Sequence, residues 1–221
     1  MVPLPNSENA PSSKSSNNFE IVFLSLFPEL FEPVVSKSLL GKAATRGLIH
    51  FRALNFRDFA PDKHATTDEN PYGGGDGMLL KVDVLHRAWQ AAGGEDPLSW
   101  TILLSPQGRL FNQERARALA EQRGRLILVC GHYEGVDERF VELCVDEEVS
   151  IGDYVLTGGV LPALVLAETV TRLIPGVVGS PGSITSDSLE GGLLKYPQYT
   201  KPREYGGLEV PEILLSGNHG R

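Results

Sequence analysis

The chain alternates short apolar runs with longer segments in which apolar residues recur every three or four positions. The short runs are rich in branched and aromatic side chains, which is typical of strands that are buried on both faces of a parallel sheet. We predict strands at Glu20–Leu26, Leu48–Phe56, Trp100–Leu104, Arg125–Cys130 and Asp146–Ile151.

The longer periodic segments predict helices between these strands. The helices are expected at Leu30–Ala44, Val82–Ala92, Asn112–Gln122, Asp137–Cys144 and from near Pro162 through Leu173. Asn112 should cap its helix and leave Arg115, Arg117 and Glu121 on the solvent side. Strands that alternate with helices indicate an α/β fold with a mostly parallel sheet flanked by helices.

Three turns that contain glycine follow predicted strands. They are SPQG at residues 105–108, GHYEG at residues 131–135 and GDYVLTGG at residues 152–159. In parallel sheets, ligands bind where strands end and such turns begin. If the three turns meet at one edge of the sheet, they form a single pocket. The alternative for the last turn and its helix is an ordinary strand–helix unit followed by a surface loop.

The segment Arg57–Met78 lacks periodicity and contains many turn-forming residues, so we predict a long loop. Glycines and basic side chains suit the approach of a phosphate to backbone N–H groups. The residues of this kind are Arg57, Lys63, His64, Gly73, Gly74 and Gly75. A plain flexible loop is the alternative. Neither a Rossmann glycine pattern nor a Walker lysine is present, which excludes those nucleotide sites.

Composition narrows the class of protein. The formal net charge is −8, so contact with nucleic acid would have to rest on local basic patches. Only Cys130 and Cys144 are present, which indicates neither a disulfide framework nor a zinc cluster.

Met1–Asn18 is rich in Ser, Asn and Pro and is expected to be a disordered extension or a tag. No stretch approaches the length of a membrane span, and we expect a cytoplasmic protein with no membrane partner.

Ordered motifs along nearly the whole chain after residue 18 resemble one family. They are FPELF (27–31), YGGGDGM (72–78), LLSPQG (103–108), CGHYEGVDER (130–139), SIGDYVLTGG (150–159), RLIPGVVG (172–179), SDS (186–188) and LLSGNH (214–219). The chain is thereby similar to the bacterial tRNA (guanine-N1-)-methyltransferases (TrmD). These belong to the knotted, SPOUT-type class of enzymes that use S-adenosylmethionine.

The resemblance implies a fold and a cofactor site. A deep trefoil knot in the C-terminal half would be formed by Leu104–Gly108, Gly131–Gly135 and Ser150–Gly159, within a cofactor-binding domain at residues 19–180. Residues 181–221 would be an interdomain linker and the start of a truncated C-terminal tRNA-binding domain. The implied S-adenosylmethionine-binding residues are Leu104, Ser105, Pro106, Gly131, Tyr133, Glu134, Ser150, Ile151, Gly152, Asp153, Tyr154, Val155, Leu156, Gly158 and Gly159. The knot-packing role alone is the alternative for the glycines.

The resemblance also implies the chemistry. Asp187 matches the general base that removes the proton of guanine N1, and Arg172 matches the arginine that stabilises charge on O6. The alternatives are an ordinary loop carboxylate for Asp187 and compensation of a helix dipole for Arg172. The residues implied in RNA contact are Arg57, His64, Tyr72, Gly73, Gly74 and Gly75.

The implied substrate is tRNA, methylated immediately 3′ of the anticodon by a homodimer whose two subunits share each site. A magnesium requirement is a trait of the family, although the sequence shows no cluster of metal ligands. Two other functions remain open: methylation of ribose or another base by the same fold, and a non-catalytic RNA-binding or assembly protein.

Overall fold

A computed structural model describes residues 19–122, 124–179, 188–189 and 194–217. Met1–Asn18 therefore lies outside the described residues. The chain divides into two compact units, Met1–Pro181 and Gly182–Arg221.

The strands are β1 (Phe19–Ser25), β2 (Ile49–Asn55), β3 (Asp68–Glu69), β4 (Leu79–Leu80), β5 (Ser99–Leu110), β6 (Arg125–Cys130), β7 (Glu147–Ser150), β8 (Glu204–Tyr205) and β9 (Leu208–Glu209). The helices are α1 (Glu32–Val35), α2 (Ser38–Thr45), α3 (Val82–Ala92), α4 (Gln113–Glu121), α5 (Glu138–Cys144), α6 (Val160–Thr171) and α7 (Glu212–Leu215). Short 3₁₀ helices occupy Pro28–Leu30 and Phe56–Phe59.

Five strands form a wholly parallel sheet in the order β2-β1-β6-β5-β7. Ile21 and Phe23 of the interior strand β1 belong to a core that also contains residues of α1, α2, α4 and α6. Val22 and Leu24 face the opposite side and join a second core with α3 and α5. Because successive side chains of a strand point to opposite faces, burial on both faces requires the continuous apolar run seen in the sequence. The predicted α/β fold with a parallel sheet between helices is confirmed.

The prediction of one helix over Leu30–Ala44 is wrong. Lys37 has an extended backbone (φ −118°, ψ 170°) and Ser38 has φ +50°, so α1 ends and α2 starts anew. Gly41 permits this break because a Cβ atom there would lie 2.3 Å from the Ser36 carbonyl oxygen. Apolar periodicity persists across such a break, and it therefore predicted a single helix.

The end predicted for the third of the five predicted strands, at Leu104, is also wrong. The strand β5 continues through SPQG to Leu110, and its pairing with β7 shifts register between Leu104 and Arg109. A Cβ atom at Gly108 would lie 2.4 Å from the Val149 backbone nitrogen. The missing side chain thus lets the bulged strand stay close to its neighbour, and SPQG is an irregularity within a strand.

Asn112 caps α4 as predicted, since its side chain accepts a hydrogen bond from the Arg115 backbone N–H at 2.8 Å. Arg115 itself is not on the solvent side. Its guanidinium pairs with Glu147, with Nε 2.9 Å from Oε2, and lies 5.8 Å from the centre of the Trp100 ring. An arginine on a polar face can reach back over the sheet edge because its stem is long and apolar.

Candidate functional site

The three glycine-containing segments, SPQG within the second half of β5 and the turns that follow β6 and β7, surround one cleft of about 340 Å³. They meet because these strands are neighbours in a parallel sheet and end at the same edge. The lining residues are Leu103, Leu104, Ser105, Pro106, Gln107, Gly131, His132, Tyr133, Glu134, Gly135, Val136, Glu138, Val141, Glu148, Val149, Ser150, Ile151, Gly152, Tyr154, Val155, Leu156, Thr157, Gly158, Gly159 and Pro162.

Close backbone contact holds two of the segments together. The Gly159 N–H donates a hydrogen bond to the Gly131 carbonyl at 2.9 Å, and Gly158 forms an isolated antiparallel bridge with His132. A Cβ atom at Gly159 would lie 2.6 Å from Cys130 Cα, closer than side chains tolerate. Glycine is therefore required at residue 159, because the backbone there passes too close to the backbone of Cys130 for any side chain to fit.

Gly131 lies at the floor of the cleft and has open space above it. A Cβ atom there would meet no atom of the described protein closer than 3.9 Å. On the opposite rim, the backbone N–H and C=O groups of residues 153–156 make no hydrogen bond to another described residue. The cleft thus offers a bare floor and a rim of unpaired backbone donors and acceptors, which are features that a ligand with polar ring edges can use.

Aromatic rings form one wall of the cleft. The His132 imidazole lies edge-on to Phe27 at 5.3 Å and to Tyr133 at 4.7 Å between ring centres. Tyr133 adopts φ +58°, a left-handed conformation that is uncommon for a bulky residue and marks a constrained turn. This wall joins the FPELF segment to the second turn.

The charged side chains that line the cleft are mostly acidic. Three carboxylates, Glu134, Glu138 and Glu148, and one imidazole, His132, lie along its walls. Near the end of the second turn, hydrogen bonds from the Arg139 side chain hold the pKa of Asp137 below its usual range. Burial raises the pKa of Cys130, so this thiol stays protonated and is unsuited to act as a nucleophile.

The glycine loop at residues 72–78 abuts the cleft through its last residues. The Glu134 N–H donates to the Met78 carbonyl at 3.1 Å, and the Leu80 N–H donates to the Gly135 carbonyl at 3.0 Å. A Cβ atom at Gly77 would lie 2.4 Å from Glu134 Cγ. Glu134 of the cleft wall therefore packs directly against Gly77 of the loop.

The structure brings together most of the residues predicted to bind a cofactor. All of them line the cleft except Asp153, which lies between lining residues but is not among them. Arg172 is at the carboxyl end of α6, where its N–H donates to the Glu168 carbonyl, and it does not line the cleft. Asp187 lies outside the described residues.

Of the predicted RNA-contacting residues, Arg57 lies in the 3₁₀ helix Phe56–Phe59, and the others lie in the loop segments that follow it. The Arg57 guanidinium donates to the Ala65 carbonyl at 3.5 Å, and the His64 N–H donates to the Asp62 carboxylate at 2.9 Å. Tyr72 is 99% exposed, and open space surrounds the Cβ positions of the neighbouring glycines at residues 73–75. The structure thus presents Tyr72 and these glycines to solvent but ties Arg57 and His64 into the loop.

Several residues that line the cleft were not predicted from the sequence. The polar ones are Gln107, His132, Glu138, Glu148 and Thr157. Gln107, His132 and Thr157 sit inside the three motifs and were identifiable from them. Glu138 and Glu148 lie on α5 and β7, where only packing shows that they face the cleft.

Comparison with known proteins identifies the family. The model of the family tRNA (Guanine-1)-methyltransferase TrmD matches residues 19–221. The chain belongs to this family. The resemblance drawn from the motifs is thereby confirmed, and with it the prediction that the chain is an enzyme of the tRNA (guanine-N1-)-methyltransferase class.

Several relatives in the tRNA (guanine-1)-methyltransferase family are similar over most of the chain. The tRNA (guanine-N(1)-)-methyltransferase of Carboxydothermus hydrogenoformans is 52% identical over 200 residues, which cover 90% of this chain and 78% of the relative. That of Dehalococcoides mccartyi is 52% identical over 203 residues, covering 91% and 82%. The crystal structure of tRNA (m1G37) methyltransferase from Aquifex aeolicus superposes with a TM-score of 0.78 at 34% identity, covering 91% of this chain and 84% of that one.

Two further findings concern a metal ion and a membrane as binding partners. Over residues 19–122, 124–179, 188–189 and 194–217, no group of three His, Cys, Asp or Glu side chains is placed to hold a metal ion. No helix in the same ranges is long and apolar enough to cross a membrane.

Proposed function

We propose that the protein methylates tRNA at N1 of the guanine immediately 3′ of the anticodon, with S-adenosylmethionine as the methyl donor. The observation that carries this proposal is the cleft at the carboxyl edge of the sheet, in a chain that belongs to the tRNA (guanine-1)-methyltransferase family. The position of the target base comes from the family resemblance and from the Aquifex relative, which is a tRNA (m1G37) methyltransferase.

Several features of the cleft fit S-adenosylmethionine. Its volume of about 340 Å³ is within the usual range of small-molecule sites. The unpaired backbone groups of residues 153–156 suit the polar edge of an adenine, and the bare floor at Gly131 leaves room for the ligand. The acidic side chains on the walls favour the positive charge of a sulfonium over neutral product.

The chemistry divides between donor and acceptor. S-adenosylmethionine supplies a methyl group on a sulfonium whose leaving group is a neutral thioether, so no acid is needed on that side. Guanine N1 carries a proton and is a poor nucleophile until a base removes it. The reaction therefore needs a positioned base and a group that stabilises charge on the O6 carbonyl.

In this proposal the Asp187 carboxylate accepts the N1 proton and the Arg172 guanidinium donates to O6. A nearby arginine lowers the pKa of an aspartate and weakens it as a base. Guanine O6 therefore has to engage Arg172 when the proton moves to Asp187. A base that accepts from N1–H and a donor to O6 also reject adenine, because adenine reverses both hydrogen-bonding groups.

We further propose that the three segments form a trefoil knot and that two subunits share each site. The tight approach of Gly159 to Cys130 and of Gly108 to Val149 supports a threaded backbone. Exposed apolar side chains on the first unit support a subunit interface. Those on the first helices and α6 are Leu30, Val34, Leu161 and Val165. We assign no step to Mg²⁺.

The test is mass spectrometry of tRNA transcripts incubated with the protein and labelled S-adenosylmethionine. N1-methylguanine at the base 3′ of the anticodon is expected, and Asp187→Asn should lower turnover by about 10²- to 10⁴-fold while cofactor affinity persists. Ribose methylation would instead favour another methyltransferase of the same fold, and no product would favour a non-catalytic RNA-binding protein. Cofactor affinity that falls with turnover would make Asp187 structural.

Subunit sharing is tested by mixing two inactive variants. Gly131→Val should fold, because its side chain enters open space, but should block the cofactor. Refolding it together with Asp187→Asn should restore activity, since each heterodimer contains one intact site. If the mixture stays as inactive as its components, each site belongs to one subunit.

A further inference from the structure

The strand β7 carries residues of the cleft wall, but its own sequence specifies its register only weakly. It is four residues long, reads EEVS and lies at the edge of the sheet beside β5. Its pairing with β5 shifts register between Leu104 and Arg109. Because neighbouring side chains of a strand point to opposite faces, a slip of one residue would exchange Glu147 and Glu148 between the two faces.

The two glutamates of β7 face different layers of helices. Glu147 is opposite Ile102, which belongs to the core that includes α4 and α6. Glu148 is opposite Leu103, which belongs to the core that includes α3 and α5, and it lines the cleft with Glu138 of α5. Directly opposed residues of paired strands share a face of the sheet. The observed register therefore requires Glu147 on the side of α4.

Arg115 of α4 holds Glu147 on that side. Its Nε lies 3.0 Å from Oε1 and 2.9 Å from Oε2 of Glu147, and its Nη2 also pairs with Oε2. The same guanidinium lies 5.8 Å from the centre of the Trp100 ring of β5. The two paired side chains are only 27% and 17% exposed. A bidentate pair of this kind fixes geometry in addition to contributing energy.

We propose that Arg115 is a positioning residue for cofactor binding: through Glu147 it fixes the register of β7 and thereby keeps Glu148 and Ser150 at the cleft. Ser150 extends this effect to the turn at residues 152–159. Its hydroxyl donates to the Gly152 carbonyl at 3.0 Å and accepts from the Gly152 N–H at 3.2 Å. The inference rests on the proposed function, because it assumes that the cleft binds S-adenosylmethionine.

A second anchor sets the expected size of the effect. The Asp146 carboxylate accepts from the Thr101 N–H at 2.7 Å and holds the residue before β7 against β5. Loss of Arg115 should therefore leave part of the population in the observed register. A cofactor that binds this population alone has its apparent affinity reduced in proportion to the fraction that remains.

The experiment is steady-state methylation of a tRNA transcript over a range of S-adenosylmethionine concentrations. Arg115→Gln should raise KM for the cofactor about fivefold and leave kcat within about twofold of wild type, because saturating cofactor draws the population back into register. Calorimetry with S-adenosylhomocysteine should show the same loss of affinity. A purely structural role would instead lower kcat through loss of folded enzyme and leave KM unchanged.

Three further variants serve as controls. The charge exchange Arg115→Glu/Glu147→Arg should restore KM, because it rebuilds the pair. Arg115→Lys should restore it only in part, since an ammonium group cannot form two parallel hydrogen bonds to a carboxylate. The matched substitution is Arg87→Gln, which breaks an ion pair with Asp83 on α3 and should leave KM at the wild-type value.

Hydrogen exchange tests the strand without cofactor. The amides of β7 should exchange faster in Arg115→Gln than in wild type, while those of β1 keep their protection. Unchanged exchange in β7, or an unchanged KM, overturns the inference. If wild type forms no N1-methylguanine but the variant shows faster exchange in β7 and weaker S-adenosylhomocysteine binding, the proposed function fails and the positioning role stands. Normal methylation by both proteins with equal KM gives the reverse conclusion.

Discussion

Two groups of glycines in this protein lie in glycine-rich sequence motifs but serve different physical purposes. At Gly159, and likewise at Gly108, a Cβ atom would collide with a neighbouring backbone at 2.6 Å and 2.4 Å. At Gly73 and Gly74 it would meet nothing within 4 Å, and these residues instead have φ of +89° and +78°. The first group permits chains to approach, and the second permits the backbone to turn.

The comparison shows where the cleft is rigid. Close approach fixes two backbones against each other, so the shape of the cleft depends on the absence of one carbon atom. The loop glycines contact no neighbouring segment, and they are needed only because the backbone adopts positive φ angles there. Substitutions by alanine should therefore separate the two groups by size of effect and by what they disturb.

The largest effect is expected for Gly159→Ala. The added methyl must displace the Cys130 backbone, which lies in a buried strand, and we expect a loss of about 3 kcal/mol in the free energy of unfolding. Urea denaturation measures it. Gly179→Ala is the control, because that glycine has open space and no left-handed φ. Equal stability of the two variants would show that the segments are not held together at Gly159.

Gly77→Ala should have an intermediate effect, because Gly77 combines both features. Its φ is +90°, and a Cβ atom there would strike the Glu134 side chain, which is flexible enough to move. We expect about 1–2 kcal/mol of destabilisation and a several-fold loss of cofactor affinity as Glu134 is pushed from the cleft wall. Denaturation and calorimetry together check this. Unchanged cofactor affinity would mean that the loop and the cleft are independent.

Gly74→Ala, in the same loop, is the matched control, because its added methyl group would meet no other atom within 4 Å. Its left-handed φ should cost about 1 kcal/mol, while cofactor affinity stays at the wild-type value. The measurement is the same pair of experiments as for Gly77. A fall in cofactor affinity here would show that loop conformation alone, without contact to Glu134, controls the cleft.

The smallest effect on stability is expected for Asp137→Asn, at the start of α5. The Asp137 carboxylate caps this helix by accepting from the Arg139 N–H at 3.0 Å, and hydrogen bonds from the Arg139 side chain lower its pKa. Asp137→Asn keeps the cap but loses the charge, so wild type should be more stable at pH 7 by less than about 1 kcal/mol.

The pH dependence of that difference follows from the sign of the shift. A carboxyl whose pKa is lowered by folding stabilises the native state above its unfolded pKa of about 4 and loses this contribution as the pH falls through the folded value. The gap between wild type and Asp137→Asn should therefore close in urea titrations below about pH 4. A gap that is constant with pH would mean that the Arg139 pairing contributes nothing.

The fold was predictable because burial on both faces leaves a simple signal. Strands such as β1 and β6 are continuous apolar runs, and Asn112 and Asp137 carry the side chains that cap helices. The break at Lys37 was not predictable, because apolar residues on both sides keep helical spacing. Nor was the course of β5 through SPQG, since proline and glycine usually end a strand and here form a bulge against β7.

The candidate site was predictable as three separate motifs. Their convergence depends on β5, β6 and β7 being neighbours in the sheet, which the order of strands along the chain does not state. Glu148 is a residue that the sequence could not assign to the site. It is an ordinary acidic residue in the sequence, and it faces the cleft only because β7 pairs with β5, where Glu148 is opposite Leu103.

The sequence by itself determined the parallel α/β class, the family and the three glycine-containing motifs, because those depend on local composition and on contiguous residues. Tertiary structure decided that SPQG is a bulge within β5 and not a turn, which motifs meet, which glycines are required by contact and which charges line the cleft. The physical reason is that the periodicity of buried side chains and helix capping depend on a few neighbouring residues. A contact such as that between Gly159 and Cys130 forms only when segments that are far apart in the sequence pack side by side.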